Sequence, residues 1–188
     1  MRAYRSRGFA PSTITGRARP CSQAARLSGA LDTARAVLSQ ALESSRDLPY
    51  VGEDARLVAE LARVELDAGR HPEAERHARG ALALVRAGIG DHESGLRSLL
   101  VLAEVERQRG AIDVAQLLLE EAAAERQPAD RTDGWRYAAL TLAELRMASG
   151  DRARAAELLA QCADPPTEEV RLRTQLAALD ERIHQRVR

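Results

Sequence analysis

Apolar and small residues recur along this chain at fixed distances from four glycines, Gly29, Gly69, Gly110 and Gly150, which lie 40, 41 and 40 residues apart. An alanine follows each glycine after five residues, a leucine or alanine after nine, and an alanine or cysteine after twelve. A leucine-alanine pair stands eight and seven residues before each of the last three glycines. The chain therefore contains an internal repeat, with small residues where two helices would have to approach closely.

The stretch LAEVERQRGAIDVAQLLLEEA, residues 102–122, shows what the glycine does. It is rich in helix formers on both sides of Gly110, and glycine readily adopts the left-handed conformation that ends many helices. Each unit is thus predicted to be a helical hairpin that buries its apolar face by stacking on its neighbours. The predicted first helices are 53–68, 92–109 and 132–149, and the returning helices are 32–46, 72–87, 112–126 and 152–163.

Local signals support these boundaries. Asp32 and Asp113 are predicted to cap their returning helices, Asp91 is predicted to cap the first helix that follows it, and Pro72 suits a first turn. Chain breakers mark linkers at 47–49, 88–91 and 127–130.

The two ends of the chain depart from the repeat. Residues 1–19 hold five arginines and no acid, which predicts a basic, disordered extension. Gly16 and Pro20 interrupt the first helix of the first repeat, so only 20–28 is expected to be helical there. The repeat domain is placed at 20–164, with one partial and three full repeats.

Residues 165–188 are predicted to form a capping helix behind Pro165 and Pro166. Apolar residues at steps of three and four give this helix one apolar stripe, which would cover the last hairpin or, alternatively, dock on a second chain. The stripe consists of Leu172, Leu176, Leu179, Ile183 and Val187.

Composition supports an all-α class, because aromatic residues make up only 3% of the chain. Twenty-eight basic residues balance 28 acidic ones, which argues against nucleic-acid or membrane binding through the repeats. All basic residues are arginine, so a lysine Schiff base and a phosphate-loop lysine are excluded, and the absence of lysine and asparagine suggests a GC-rich, bacterial coding sequence.

Cys21 and Cys162 are expected to be small packing residues. The lack of a signal or spanning segment suggests a cytoplasmic protein.

The Leu-Ala, Gly and Ala positions resemble the tetratricopeptide repeat, in the longer-period form found in kinesin light chains and in bacterial regulators. The resemblance covers about residues 20–164 and implies a right-handed solenoid that binds other proteins. Where the family usually has an aromatic residue, four before the glycine, this chain has Glu65, Glu106 and Arg146. The asparagines that hold a peptide backbone in kinesin light chains are replaced by Glu60, Val101 and Thr141.

If the first helices line a concave groove, as the resemblance implies, that groove is charged and of mixed sign, which suits an arginine-bearing or acidic partner segment. The alternative is that these side chains are solvated helix faces held by pairs such as Arg63 with Asp67. The predicted groove residues are Arg56, Glu60, Arg63, Arg97, Glu104, Arg107, Gln108, Tyr137 and Glu144.

Other chemistry is poorly supported by the sequence. Trp135 and Tyr137 either anchor a partner or cover the joint between hairpins. His71 and His77 are six residues apart, which is unsuited to two metal ligands on one helix, so we predict no metal, cofactor or catalytic site. We expect a non-enzymatic protein- or peptide-binding scaffold, with a small-molecule-sensing domain or a self-associating structural protein as alternatives.

Overall fold

The computed structural model describes residues 12–45, 52–124, 133–163 and 170–184, and every regular element in these stretches is an α-helix. The all-α prediction is confirmed, and the seven helices predicted for the hairpins begin and end within two residues of their expected positions. In chain order they are α1 Ser12–Leu27, α2 Leu31–Ser45, α3 Gly52–Asp67, α4 His71–Arg86, α5 His92–Gln108, α6 Ile112–Ala124, α7 Asp133–Ala148, α8 Arg152–Ala163 and α9 Val170–His184.

The chain divides into two compact units, Met1–Ser94 and Gly95–Arg188, with the division inside α5. In unit 1, α1 packs against α2 and α3 packs against α4 as hairpins, while α3 also contacts α1 and α2. In unit 2, α7 and α8 form a hairpin, α6 packs against α7, and α9 packs against both α7 and α8. Unit 1 is thus built from two hairpins placed side by side, and unit 2 contains one hairpin with α6 and α9 packed against it.

The four repeat glycines end the first helices as predicted. Gly29, Gly69, Gly110 and Gly150 have φ of 79°, 71°, 81° and 89°, in the left-handed region. At Gly110 the glycine N–H donates to the carbonyl of Arg107 and the next N–H donates to that of Glu106, at 3.1 and 3.0 Å. This pair of bonds is the Schellman motif, which satisfies carbonyls that the helix end would otherwise leave without donors. The same pair of bonds recurs at the other three glycines.

The small residues that follow each glycine lie in the core. The alanine five residues after the glycine is fully buried in all four repeats, at Ala34, Ala74, Ala115 and Ala155. Cys162, twelve residues after Gly150, is also fully buried and serves as the small packing residue predicted there. Cys21 is exposed, so the packing prediction is wrong for that residue, and both thiols are free.

The N-terminal prediction needs correction. Helix α1 begins at Ser12 and continues through Pro20, instead of starting at residue 20. A proline inside a helix costs one backbone hydrogen bond, in this case the bond to the carbonyl of Gly16. The helix bears this loss because Ala18 and Ser22 are buried on its inner face while Pro20 is exposed. Residues 1–11 of the predicted extension lie outside the described residues, as do the linkers 47–49 and 127–130.

The capping predictions are confirmed in part. Asp91 accepts hydrogen bonds from the Ser94 backbone N–H and hydroxyl, at 2.7 and 2.6 Å, at the start of α5. Pro72 lies in the first turn of α4, as expected. Asp32 and Asp113 are not caps, because α2 begins at Leu31 and α6 at Ile112, which places the two aspartates in the first turns of these helices.

Helix α9 turns its apolar stripe toward its own unit. Leu172, Leu179 and Ile183 are buried and Leu176 is half-buried, which agrees with the predicted stripe, while Val187 lies outside the described residues. Because α9 packs against α7 and α8, the stripe covers the hairpin that precedes it.

The position that the family fills with an aromatic residue holds a charged residue with an ionic partner in three repeats. Glu65 is 3% exposed and is ion-paired with Arg70, one residue beyond the turn glycine. The apolar contacts are made one position earlier, by the buried Val64 and Val105. The other two pairs join Glu106 to Arg109 and Arg146 to Glu120 of α6.

Candidate partner-binding surface

The candidate surface is made of charged side chains on the first helices. In unit 1 its first member, Arg56, is bonded to Asp91, the residue just before α5. Arg56 of α3 donates from Nε to Asp91 Oδ2 at 2.9 Å, and a terminal nitrogen of Arg56 contacts the same oxygen. Burial alone would raise the pKa of Asp91, but hydrogen bonds from Ser94 and Arg56 outweigh burial and lower it. Ser94 and Arg56 therefore both favour the ionised form of Asp91 at the start of α5.

Near the other end of α3, two arginines share one carboxylate. Arg26 of α1 donates from Nη1 to Asp67 Oδ2 at 2.7 Å, and Arg63 donates from Nε to Asp67 Oδ1 at 3.1 Å. We call these three residues the arginine triad. The pairing of Arg63 with Asp67 was expected from their spacing, whereas Arg26 was not among the predicted groove residues. Its signal was present, because Arg26 stands three residues before its repeat glycine, as Arg107 does.

In unit 2, three of the predicted residues form one hydrogen-bonded group on α5. Arg107 donates to both oxygens of Glu104, at 2.8 and 2.6 Å, and Gln108 donates to Glu104 at 2.7 Å. The hydrogen bond to Glu104 is the main reason that the pKa of Arg107 is raised, and the charge of Glu144 on α7 also contributes. Glu144 thus acts on Arg107 through its charge, whereas Glu104 is bonded to Arg107 directly. We call Glu104, Arg107 and Glu144 the glutamate triad.

The remaining predicted residues are less accessible. Glu60, Arg97 and Tyr137 are half-buried and have interaction partners of their own. Trp135 is only 3% exposed, and its indole Nε1 donates to the carbonyl of Ala123 at 3.1 Å. Trp135 therefore covers the joint between α6 and α7, which agrees with one of its two interpretations. The other interpretation, an exposed anchor for a partner, is wrong for this residue.

Within the described ranges, no group of three or more histidine, cysteine, aspartate or glutamate residues is placed to hold a metal ion. His77 is half-buried, and burial followed by the charge of Arg76 lowers its pKa. No helix in the described part of the chain is both long and apolar enough to cross a membrane.

Comparisons with known proteins place this geometry in a family. The family model of the tetratricopeptide repeat matches residues 54–124, which cover α3 to α6 apart from the first residues of α3. No curated protein matches the chain significantly in sequence. Repeats of this family commonly mediate interactions between proteins and are typically non-catalytic.

Solved structures show the same fold. A single-substitution variant of a protein described as "Podosopora anserina putative kinesin light chain nearly identical TPR-like repeats" superposes with a TM-score of 0.68 at 23% identity, covering 95% of this chain and 88% of that one. The structure described without the substitution gives a TM-score of 0.64 at 19% identity, covering 95% of this chain and 100% of that one.

A tetratricopeptide repeat protein from Parabacteroides merdae gives a TM-score of 0.57 at 16% identity, covering 91% of this chain and 60% of that one. These likenesses confirm the fold expected from the glycine spacing. Residues 54–124 are therefore similar to the tetratricopeptide repeat family, and the chain has the helical-hairpin repeat fold seen in the kinesin-light-chain-like repeats.

Proposed function

We propose that this chain is a non-enzymatic, cytoplasmic module that binds a protein or peptide segment through the charged face of its first helices. The observation that carries the proposal is that guanidinium groups on this face are held in place but remain accessible. The side chains of Arg63 and Arg107 are 47% and 46% exposed, although each is hydrogen-bonded to a carboxylate of its own unit.

Held side chains favour binding for an entropic reason. A free surface arginine loses rotamer freedom when it contacts a partner, at a cost of roughly 0.5–1.5 kcal/mol per side chain. Arg63 and Arg107 are already positioned by Asp67 and Glu104, so less freedom is lost on docking. Arginine also forms two-pronged bonds with carboxylates and stacks on aromatic rings, which makes it a frequent anchor in interfaces.

Small-molecule sensing and self-association are less well supported. A small-molecule sensor would need an apolar pocket, for which Trp135 is the natural lining residue, but that indole is buried and hydrogen-bonded to a backbone carbonyl. Self-association was expected through the first repeat or the last helix; for the last helix it needs an open apolar stripe, but Leu172, Leu179 and Ile183 are buried in their own unit. Light scattering at high micromolar concentration would test self-association directly.

A pull-down tests the proposed function. The wild-type chain and Arg63→Glu/Arg107→Glu are immobilised, and captured proteins are compared by mass spectrometry. The matched control is Arg79→Glu/Arg154→Glu, which reverses exposed arginines on the returning helices α4 and α8, one in each unit. We expect a partner that wild type and control retain and that the first variant loses by about tenfold or more. A partner retained equally by all three would refute the surface.

A further inference from the structure

The outer face of α6 carries apolar side chains that are open to solvent. Val114 and Leu117 are 46% and 65% exposed, and Leu118 beside them is half-buried. We call these three residues the α6 patch. We propose that the α6 patch is a second docking surface, for a partner segment that carries apolar anchor residues beside arginine or lysine. This surface lies on a returning helix, so it is distinct from the proposed surface on the first helices.

The repeat supplies an internal comparison for the two exposed residues. Val114 and Leu117 stand four and seven residues after Gly110, and both positions are exposed in all four repeats. The other three repeats hold polar residues at the first position and an alanine or a charged residue at the second. These residues are Thr33, Glu73 and Arg154 at the first position, and Ala36, Arg76 and Glu157 at the second. Folding of a hairpin therefore does not require large apolar residues at these two positions.

The core packing of α6 does not account for the patch. Helix α6 buries Ala115, Leu119 and Ala122 along one side, and Leu117 lies on the opposite side of the helix. Single exposed apolar residues are ordinary on a protein surface. Val114 and Leu117 are three residues apart and are therefore neighbours on the helix surface. Exposed apolar side chains that adjoin one another are typical of interaction surfaces.

Carboxylates surround the α6 patch and set the charge of its partner. Asp113 stands four residues before Leu117, and two glutamates, Glu120 and Glu121, stand three and four residues after it, so all three lie beside it on the helix surface. Helix α6 contains no basic residue, and Arg146 of α7 offsets one of the three charges by pairing with Glu120. A basic segment would place its apolar side chains on the patch and its cations near the carboxylates.

The same charges disfavour a second copy of α6 as the occupant. An antiparallel contact centred on Leu117 would place Asp113 of one copy opposite Glu121 of the other. A parallel contact would place each acidic residue opposite its own counterpart. Like charges repel in both arrangements, and an anionic membrane surface is disfavoured for the same reason. Charge complementarity therefore selects a basic partner.

Fluorescence anisotropy of labelled peptides with the full-length protein tests the surface. The probe is a blocked peptide of sequence Ala-Arg-Leu-Ala-Ala-Leu-Ala-Ala-Arg-Arg-Ala, which repeats the spacing of α6 with arginine in place of each acid. One control peptide has glutamate in place of arginine, and another has alanine in place of leucine. We expect the probe to bind and the glutamate peptide not to bind. The alanine peptide should bind at least about tenfold more weakly than the probe.

Variants locate the binding on α6. Val114→Thr/Leu117→Ala introduces the residues of the first repeat, where the same positions are also exposed, so the fold should be kept. This variant should weaken the probe by about tenfold or more, because both apolar anchors are lost. Leu27→Ala is the matched control, since Leu27 is 69% exposed in the last turn of α1, and it should leave the affinity unchanged. Circular dichroism and urea unfolding should show both variants to be as stable as the wild type.

The glutamate triad on the first helices is the competing acidic surface. Glu104→Gln/Glu144→Gln should keep the affinity for the probe. Arg63→Glu/Arg107→Glu should bind the probe no less tightly than the wild type, so this test and the test of the proposed function fail independently.

Several outcomes would overturn the α6 surface. One is absent binding of the probe, and another is equal binding of the arginine and glutamate peptides. Probe affinity that survives in Val114→Thr/Leu117→Ala would place the peptide elsewhere. A marked loss of stability in that variant would mean that the patch is packed inside the protein. Light scattering that shows a wild-type dimer and a monomeric Val114→Thr/Leu117→Ala would assign the patch to a second copy.

Discussion

Arg56 and Asp91 are 35 residues apart in sequence, yet the guanidinium of one holds the carboxylate of the other at the first turn of α5. The same carboxylate accepts two hydrogen bonds from Ser94. One side chain thus caps the first turn of α5 and ties that turn to α3.

Asp91→Ala should lower the free energy of unfolding by about 1–2 kcal/mol, since it removes a helix cap together with an ion pair. Asp91→Asn keeps the capping oxygen and should lose less. Urea unfolding measures both variants. Asp113→Ala is the control, because Asp113 lies in the first turn of α6 without capping it, and it should have a small effect. Equal losses for Asp91→Ala and Asp113→Ala would contradict the prediction.

Acid should weaken the wild type more than Asp91→Asn. The pKa of Asp91 is lowered in the folded state, so the unfolded chain takes up its proton first as the pH falls. The contribution of Asp91 to stability is therefore complete at neutral pH and is lost below about pH 4 as the pH passes through the folded-state pKa. The urea midpoints of the two proteins should converge as the pH falls from neutral to 3. Midpoints that stay equally far apart over this range would contradict the prediction.

Gly90→Ala should be more damaging than Gly110→Ala. Gly90 has φ of 130°, and a Cβ at this position would lie 2.6 Å from the Cβ of Ala55, whereas a Cβ at Gly110 would meet nothing within 4 Å. Gly110→Ala should cost about 1–2 kcal/mol from the left-handed conformation alone. Gly90→Ala adds a clash with a buried side chain and should exceed that cost in thermal or urea unfolding. The reverse order would show that the loop before α5 relaxes freely.

Trp135, the one tryptophan of the chain, should report a buried environment. Its emission should be blue-shifted in the folded protein, resist quenching by iodide and move to longer wavelength on unfolding. Trp135→Phe removes the hydrogen bond to Ala123 and should lower stability by about 1–2 kcal/mol. Emission typical of a solvated indole in the folded protein would contradict the structure.

The two cysteines should react at different rates. Cys21 is exposed and Cys162 is buried, so iodoacetamide should modify Cys21 in the folded protein and Cys162 only after unfolding. Peptide mass spectrometry distinguishes the two sites. Equal protection of both thiols would mean that the face of α1 bearing Cys21 is covered.

The sequence predicted best those features that depend on local chemistry. Gly69 and Gly110 could be recognised as helix ends because only glycine adopts their conformation cheaply, and Ala74 and Ala115 could be placed in the core from their constant distance to those glycines. Such positions recur in every repeat, so the pattern in one repeat supports the interpretation of the others.

Features set by contacts between distant segments were missed. The bond between Arg56 and Asp91 is one of these, because α4 separates the two residues in sequence and no local rule connects them. The contact of Arg26 with Asp67 joins residues 41 apart in sequence, so no local pattern predicts it. The burial of Trp135 depends on the packing of α6 against α7, which composition alone left undecided.

The charged residues at Glu65, Glu106 and Arg146 have a thermodynamic consequence. Apolar surface transferred to water raises the heat capacity of unfolding, whereas polar surface lowers it. Ion pairs at positions that an aromatic ring would otherwise fill should therefore give this chain a smaller heat-capacity increment per residue than an aromatic-containing repeat of equal length. Its stability would then vary less steeply between cold and warm conditions, giving a broad, shallow curve in calorimetry.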